Sequence, residues 1–344
     1  MIVTTTQLSH YVSKCMEVDL VPFIKGPPAI GKSDIVRQVA DEYNLQVLDF
    51  RLSQADTTDM NGLPAFTKDK TKASFVPMDT FPVEGDPLPL KADGTNYDGW
   101  LLFLDELTSA PLSVQAASFK VILDRMVGKF KLHSHVRIVA AGNRMEDKGI
   151  VNRMSTPMQS RLAHFELAVD PKGWVKWAGN AGLDYRIISY IGFKPEALYN
   201  FKPDHNKDTY ASPRTWEFLS RLIKGETDIK PDMIPLMASV VEEASAREFF
   251  TYAKIFKSLI TIPQIMAKPE TIPVPEEPSI QYALSGSIGY HINEKNADKL
   301  MTFLERMPIE FQIMSLQGGI KKNKKILSNT AVKVWISNYS QELF

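Results

Sequence analysis

A chain of 344 residues, 44% hydrophobic and 23% charged, has enough material for a large domain and a second one, and this composition excludes a largely disordered polypeptide. Lys plus Arg number 40 and Asp plus Glu number 40, so no global charge pulls the chain toward nucleic acid; a local basic patch stays open, and the densest is Lys321, Lys322, Lys324 and Lys325. The single cysteine, Cys15, excludes an intrachain disulfide, and with no apolar run near the ~18–20 residues that cross a bilayer and no basic-then-apolar leader, the expected location is the cytoplasm.

Taken in chain order, the first strand is expected at 21–24 (Val-Pro-Phe-Ile). It runs into Gly26-Pro27-Pro28-Ala29-Ile30-Gly31-Lys32-Ser33. Helical spacing follows, with Ile35, Val36, Val39 and Tyr43 toward one side. The next strand is 46–52. From 53 to 99 the chain is rich in Thr, Asp, Gly and Pro and has no long apolar run, so it reads as loops with a hairpin inserted into the core. A connection of that length points to a functional role. Residues 100–104 are nearly continuously apolar, as a central parallel strand is. A helix is expected over 113–123. A further strand over 136–141 ends in Gly142-Asn143-Arg144, and the last is 163–169. This alternation predicts an α/β fold for residues 1–170: a three-layer αβα domain around a parallel sheet.

From 171 to 344 the pattern is helical. Trp174, Trp177 and Ala178 share one helix face, and Ser212-Pro213 reads as an N-cap followed by proline at the first helical position, opening a helix over 214–224. One long helix is expected over 233–259. Prolines 263, 269, 273, 275 and 278 predict an extended crossover at 263–278, and the helical segment from 282 onward is expected to break at Gly318-Gly319.

The residues 26–33 fit Gly-x-x-x-x-Gly-Lys-Ser in its proper strand–loop–helix context. In such a loop successive backbone N–H groups and a helix N-terminus surround phosphates. Lys32 is a point charge for the β and γ phosphates, and the Ser33 hydroxyl is a Mg²⁺ ligand. Gly26, Pro27, Pro28, Ala29, Ile30 and Gly31 form the cradle. Ala29 stands where a glycine is common, and an ordinary backbone conformation with a modest effect is expected there. Leu101-Leu102-Phe103-Leu104-Asp105-Glu106 ends a buried strand in two carboxylates, at the sheet edge where α/β folds bind ligands. Asp105 is the candidate for holding Mg²⁺, and Glu106 for orienting the attacking water. A kinase would need an acceptor hydroxyl site instead.

The phosphate loop, the Asp-Glu strand end, Ala141-Gly142-Asn143 and Ser160-Arg161-Leu162 occur in the order seen in AAA+ ATPases. Residues 104–111 resemble the DE-x-N-x-A-P segment of the MoxR-like, dynein-related subgroup, with Thr108-Ser109 in place of the usual Asn-Arg; Gln115-Ala116-Ala117 and Leu123-Asp124-Arg125 continue the likeness. The resemblance covers about residues 21–222. It implies an AAA+ core followed by a helical lid, ATP and Mg²⁺ as ligands, and ATP hydrolysis. It implies Asn143 as the sensor that helps position water, Arg161 as the finger reaching a neighbouring subunit's γ-phosphate, and Arg214 as the lid sensor. It also implies a homo-oligomeric, hexameric ring that remodels a protein partner, often one with a von Willebrand A domain. From the residues alone Arg153 rivals Arg161. A cation at a helix N-terminus, like Arg214, is disfavoured unless an anion is near. A nucleic-acid-dependent motor and a slow, nucleotide-gated assembly factor are the alternatives in function.

Overall fold

The computed structural model describes residues 1–147, 151–204 and 207–343 and, for 256–258 and 340–343, the backbone only. The chain divides into two units: Met1–Val169 with Lys202–Asp204, and Asp170–Phe201 with the chain beyond Asp204.

The first unit runs β1 (Ile2–Val3), α1 (Thr5–Glu17), β2 (Val21–Lys25), α2 (Lys32–Glu42), β3 (Leu45–Arg51), α3 (Thr57–Asn61), β4 (Leu63–Phe66), β5 (Ala73–Val76), β6 (Gly99–Asp105), α4 (Leu112–Leu123), β7 (Met126–Val127), β8 (Phe130–Lys131), β9 (Val136–Gly142), α5 (Thr156–Gln159) and β10 (Leu162–Leu167). A six-stranded sheet has the order β1-β10-β2-β9-β6-β3, with every neighbouring pair parallel. Period two along the strands sorts the side chains to two faces. Phe23, Leu102, Leu104, Ile138 and Ala140 pack with Val114, Val121 and Ile122 of α4. On the other face Ile24, Leu101, Phe103 and Val139 are buried beneath α1 and α2. Each fully buried Leu or Phe contributes about 1.5–3 kcal/mol. The result is the three-layer αβα core of a P-loop fold.

The register gathers the strand ends. Lys25 pairs with Gly142, Leu104 with Ala140, and Arg51 with Asp105. The chain leaving each of these strands therefore emerges at one edge of the sheet. This brings together the loop after β2, the carboxylates ending β6, Asn143 after β9, and Ser53 after β3.

The 53–99 stretch carries the expected hairpin, β4 against β5, and more besides. The helix α3 starts at Asp56, whose carboxylate accepts from Thr58 N and Asp59 N, and it stops at Gly62 (φ +86°). Phe81, 2% exposed, returns the chain to the core beside Phe50.

The second unit runs α6 (Pro171–Asn180), α7 (Tyr185–Phe193), α8 (Pro213–Leu222), α9 (Ile234–Val241), α10 (Glu243–Ser258), α11 (Ile262–Ala267), α12 (Pro278–His291), α13 (Ala297–Leu304), α14 (Ile309–Lys322) and α15 (Thr330–Leu343). Three expectations are corrected here. The helix over 233–259 is two helices, because Glu242 adopts φ +75° and ψ 152° and turns the chain between α9 and α10. Its carboxylate accepts from the Asn200 side-chain amide and pairs with Lys207, which hold that conformation in place. The crossover at 263–278 is not extended throughout. Thr261 and Gln264 form a capping box that starts α11, with proline tolerated in its first turn. Gly318 and Gly319 do not break their helix; α14 passes through both. They lie against α12: a Cβ on Gly318 would sit 3.5 Å from the Gly289 Cα, and one on Gly319 would sit 2.3 Å from the Ile292 Cγ2. Small residues there serve close helix packing rather than a stop. Among the described residues, no helix is long and apolar enough to cross a membrane.

Candidate active site

The loop between β2 and α2 is set by three backbone features. Gly26 has no room for a side chain: a Cβ would meet the Ile30 Cδ1 at 2.8 Å and the Leu167 carbonyl at 3.1 Å. Gly31 has φ +94°, a conformation natural to glycine. Ala29 has φ +61°, so the expectation of an ordinary conformation at this alanine is corrected: the loop holds it in the left-handed region, at a strain of about 1–2 kcal/mol. Ile30, 6% exposed, anchors the loop to the core, and Pro27 is buried. The helix α2 begins at Lys32, directly after Gly31, with no side-chain cap.

Lys32 is 9% exposed, and its ammonium is held by oxygens. It donates to the carbonyls of Gly26 (2.8 Å) and Pro27 (2.9 Å) and to Asn143 Oδ1 (3.0 Å). The Ser33 hydroxyl donates to Asp105 Oδ2 at 3.1 Å, and the other carboxylate oxygen of Asp105 accepts from Glu106 N at 2.8 Å. Lys32 with Asn143, and Ser33 with Asp105, are thus brought into hydrogen-bonding contact from three parts of the sequence. Ser33 and Asp105 present a hydroxyl and a carboxylate oxygen one hydrogen bond apart. Such hard oxygen donors, few in number, suit Mg²⁺, which keeps most of its own water.

Glu106 follows Asp105 in a left-handed conformation, φ +58° and ψ +29°. Non-glycine residues take this conformation only where their surroundings over-determine it. Here Ser109 N donates to the Glu106 carbonyl at 2.8 Å, closing the turn, and the Ser53 hydroxyl donates to Glu106 Oε2. Sequence reading missed Ser53. It lies 53 residues before its partner, and only the pairing of β3 with β6 brings the two together. It also missed the place of Thr108, 8% exposed. Its hydroxyl accepts from Asn143 N (3.0 Å) and donates to Asn143 O (3.2 Å).

Arg161 immediately precedes β10, is exposed, and donates to the Pro157 carbonyl at 3.0 Å. Arg153 is exposed and lines a cavity of ≈ 460 Å³ with Asn143, Arg144 and His164. Arg214 belongs to the second unit. It is exposed in the first turn of α8, whose cap is Ser212 bonded reciprocally to Thr215. Among the described residues, no group of three or more His, Cys, Asp or Glu side chains is placed to hold a metal ion by itself.

No protein-family model matches the chain, and no curated protein matches it. Solved structures do. NtrX from Brucella abortus in complex with ADP is 15% identical with a TM-score of 0.38, over 97% of this chain and 67% of that one. A point mutant of RuvB from Thermotoga maritima is 15% identical with a TM-score of 0.40, over 75% and 76%. A putative ATPase from Cytophaga hutchinsonii is 11% identical with a TM-score of 0.35, over 98% and 89%. With identities and scores this low, the fold assignment rests on the strand order and the loop geometry of the chain itself.

Proposed function

We propose that this chain binds ATP with Mg²⁺ through residues 26–33 and hydrolyses it, as one subunit of an AAA+ ring of the MoxR-like kind that acts on a protein partner. The observation that carries the reading is the convergence at the sheet edge of Lys32 bonded to Asn143 and Ser33 bonded to Asp105, with Glu106 beside them. The N-terminus of α2 and the backbone of the loop receive the phosphates. Lys32 exchanges its carbonyl contacts for phosphate oxygens. Mg²⁺, held by Ser33 and Asp105, would neutralise charge on the β and γ phosphates. Glu106 accepts the proton of the attacking water as its oxygen bonds to the γ phosphorus, and the bond from that phosphorus to the bridging oxygen of ADP breaks. Asn143 orients that water, Arg161 serves the site of the next subunit, and Arg214 senses the nucleotide from the lid.

The hairpin β4–β5 is the proposed partner-facing element. Leu63, Phe66, Phe75 and Val76 are exposed on it, and Lys68, Lys70 and Lys72 crowd its tip. Hydrophobic groups left in solvent on an inserted loop mark an interaction surface.

Two variants test the central reading. Lys32→Ala removes the charge aimed at the phosphates, and calorimetry should show ATP affinity lost or severely reduced. Glu106→Gln keeps the shape of the side chain but not its basicity, so it should bind ATP as the parent does and turn over at least about a hundredfold more slowly. Parental affinity in the first variant, or a parental rate in the second, would overturn the assignment. A parent that binds ATP and releases no phosphate would point instead to a nucleotide-gated assembly factor.

A further inference from the structure

We infer that Thr108 is a positioning residue of this site: its hydroxyl holds the turn carrying Glu106 and the strand end carrying Asn143 at a fixed spacing. This rests on the hydrolytic reading given above.

The two groups that must flank the attacking water come from different strands. Glu106 follows β6, and Asn143 follows β9. The sheet pairs these strands only as far as Leu104 with Ala140. Beyond that level the strand ladder no longer fixes their separation, and Thr108 takes over. It sits two residues after Glu106, in the turn that the left-handed Glu106 opens. Its single hydroxyl both accepts from the Asn143 N–H and donates to the Asn143 carbonyl, as a neighbouring strand would. The same residue's carbonyl accepts from Asn152 N at 2.6 Å, so the turn is held from a second side as well.

The neighbouring backbone is shaped around this hydroxyl. A Cβ on Gly142 would lie 2.5 Å from Thr108 Oγ1 and 2.9 Å from its Cγ2. Gly142 is therefore bare where Thr108 approaches, and any side chain there would push the threonine away. The consequence reaches the phosphate loop in one further step, because the side-chain oxygen of Asn143 accepts from Lys32 Nζ. One buried hydroxyl thus couples the water-orienting carboxylate, the polar sensor and the phosphate-binding lysine. A serine would retain the hydroxyl. A valine would retain the shape but leave the Asn143 N–H and carbonyl without these partners.

The experiment compares the parent, Thr108→Val, Thr108→Ser, Gly142→Ala and Glu106→Gln in ATP affinity, kcat and KM. In Thr108→Val, kcat should fall about ten- to a hundredfold, the scale of a small misplacement of reacting groups, with ATP affinity within about threefold of the parent. Thr108→Ser should recover most of the rate. Gly142→Ala should reproduce the loss with Thr108 itself intact, and it carries the test if Thr108→Val does not fold. Amide exchange of Asn143 should quicken in Thr108→Val and Gly142→Ala but not in Thr108→Ser. A parental kcat in Thr108→Val, or a serine variant as slow as the valine one, would overturn the inference. A parent with no Glu106-dependent hydrolysis would instead overturn the reading on which it rests.

Discussion

Between residues 26 and 33 the chain buries Ile30 and Lys32 and holds the lysine's ammonium against the carbonyls of Gly26 and Pro27 and the side-chain oxygen of Asn143. Between residues 63 and 76 it does the reverse: Phe66 is 77% exposed, and Leu63, Phe75 and Val76 are also in solvent. Both are short segments leaving one αβα core. The loop accepts left-handed strain at Ala29 and wraps its own carbonyls around the lysine. The hairpin has four cross-strand residue pairs, and a two-stranded sheet of that size is at most marginally stable alone. The loop is held by buried contacts, and the hairpin leaves its apolar side chains in solvent. Their tolerance of substitution should therefore differ sharply.

The largest effect is expected at Arg161, proposed above to serve the site of a neighbouring subunit. Arginines in that role accelerate phosphoryl transfer by ~10³–10⁵. Arg161→Ala alone and Glu106→Gln alone should each be nearly inactive. Mixed in one assembly they should regain activity, because some interfaces then pair an intact Glu106 with an intact Arg161 from the neighbour. Recovery should follow the mixing ratio as interface statistics require. A co-assembled mixture without recovery would remove Arg161 from this role and make Arg153 the next arginine to substitute.

Next in size is the core that carries the site. Leu102, 1% exposed, lies mid-strand in β6 against α4. Leu102→Ala leaves a cavity behind the strand that ends in Asp105 and Glu106, and should lower unfolding free energy by about 2–5 kcal/mol. Denaturant unfolding measures this directly. A loss below about 1 kcal/mol would mean that the core relaxes around the gap, and that the site's rigidity does not come from this layer.

Much of this site is legible in the sequence for a physical reason. A strand buried on both faces must be a continuous apolar run, so Leu101 to Leu104 announce themselves, and the acids that follow must lie at the sheet edge. The loop of residues 26–33 is likewise local: its glycine spacing and composition are read directly, though the conformation of Ala29 is not. What stays hidden depends on partners far along the chain. Ser53 finds Glu106, and Thr108 finds Asn143, only after the strands have aligned. Backbone conformation is hidden too, wherever the residue type does not demand it. Neither alanine at 29 nor glutamate at 242 advertises a positive φ, which is why the loop's strain and the break between α9 and α10 escape the pattern. Gly318 and Gly319 mislead in the opposite way, since a glycine can mark a helix end or a helix contact, and only the presence of α12 decides.

The third effect is smaller and of opposite sign. Ala29→Gly relieves the left-handed conformation, but glycine loses more conformational freedom on folding. The strain of ~1–2 kcal/mol outweighs an entropy cost of ~0.5–1 kcal/mol, so a net stabilisation of about 0.5–1 kcal/mol is expected. The melting temperature should rise by a few degrees at most. A lower melting temperature would show that the alanine methyl makes a contact worth more than the strain.

The smallest effect is expected on the hairpin, and its smallness is the point. Phe66 pairs across the ladder with Ala73, and Pro64 with Phe75, which puts four apolar residues on one face. Were this face part of the core, replacing a phenylalanine would cost ~3–5 kcal/mol. It is not, because Phe66 is largely in solvent while Phe81, further along the same insertion and with the same side chain, is 2% exposed and beside Phe50. Substitutions at exposed positions usually stay within about 0.5 kcal/mol. Phe66→Ser should therefore leave both the melting temperature and the basal rate of ATP hydrolysis unchanged within error, whereas Phe81→Ser should lower stability by several kcal/mol. A large loss in Phe66→Ser would mean that the aromatic ring is covered in solution. Whether that loss grows with protein concentration then separates burial against a neighbouring subunit, which depends on assembly, from burial within the chain, which does not.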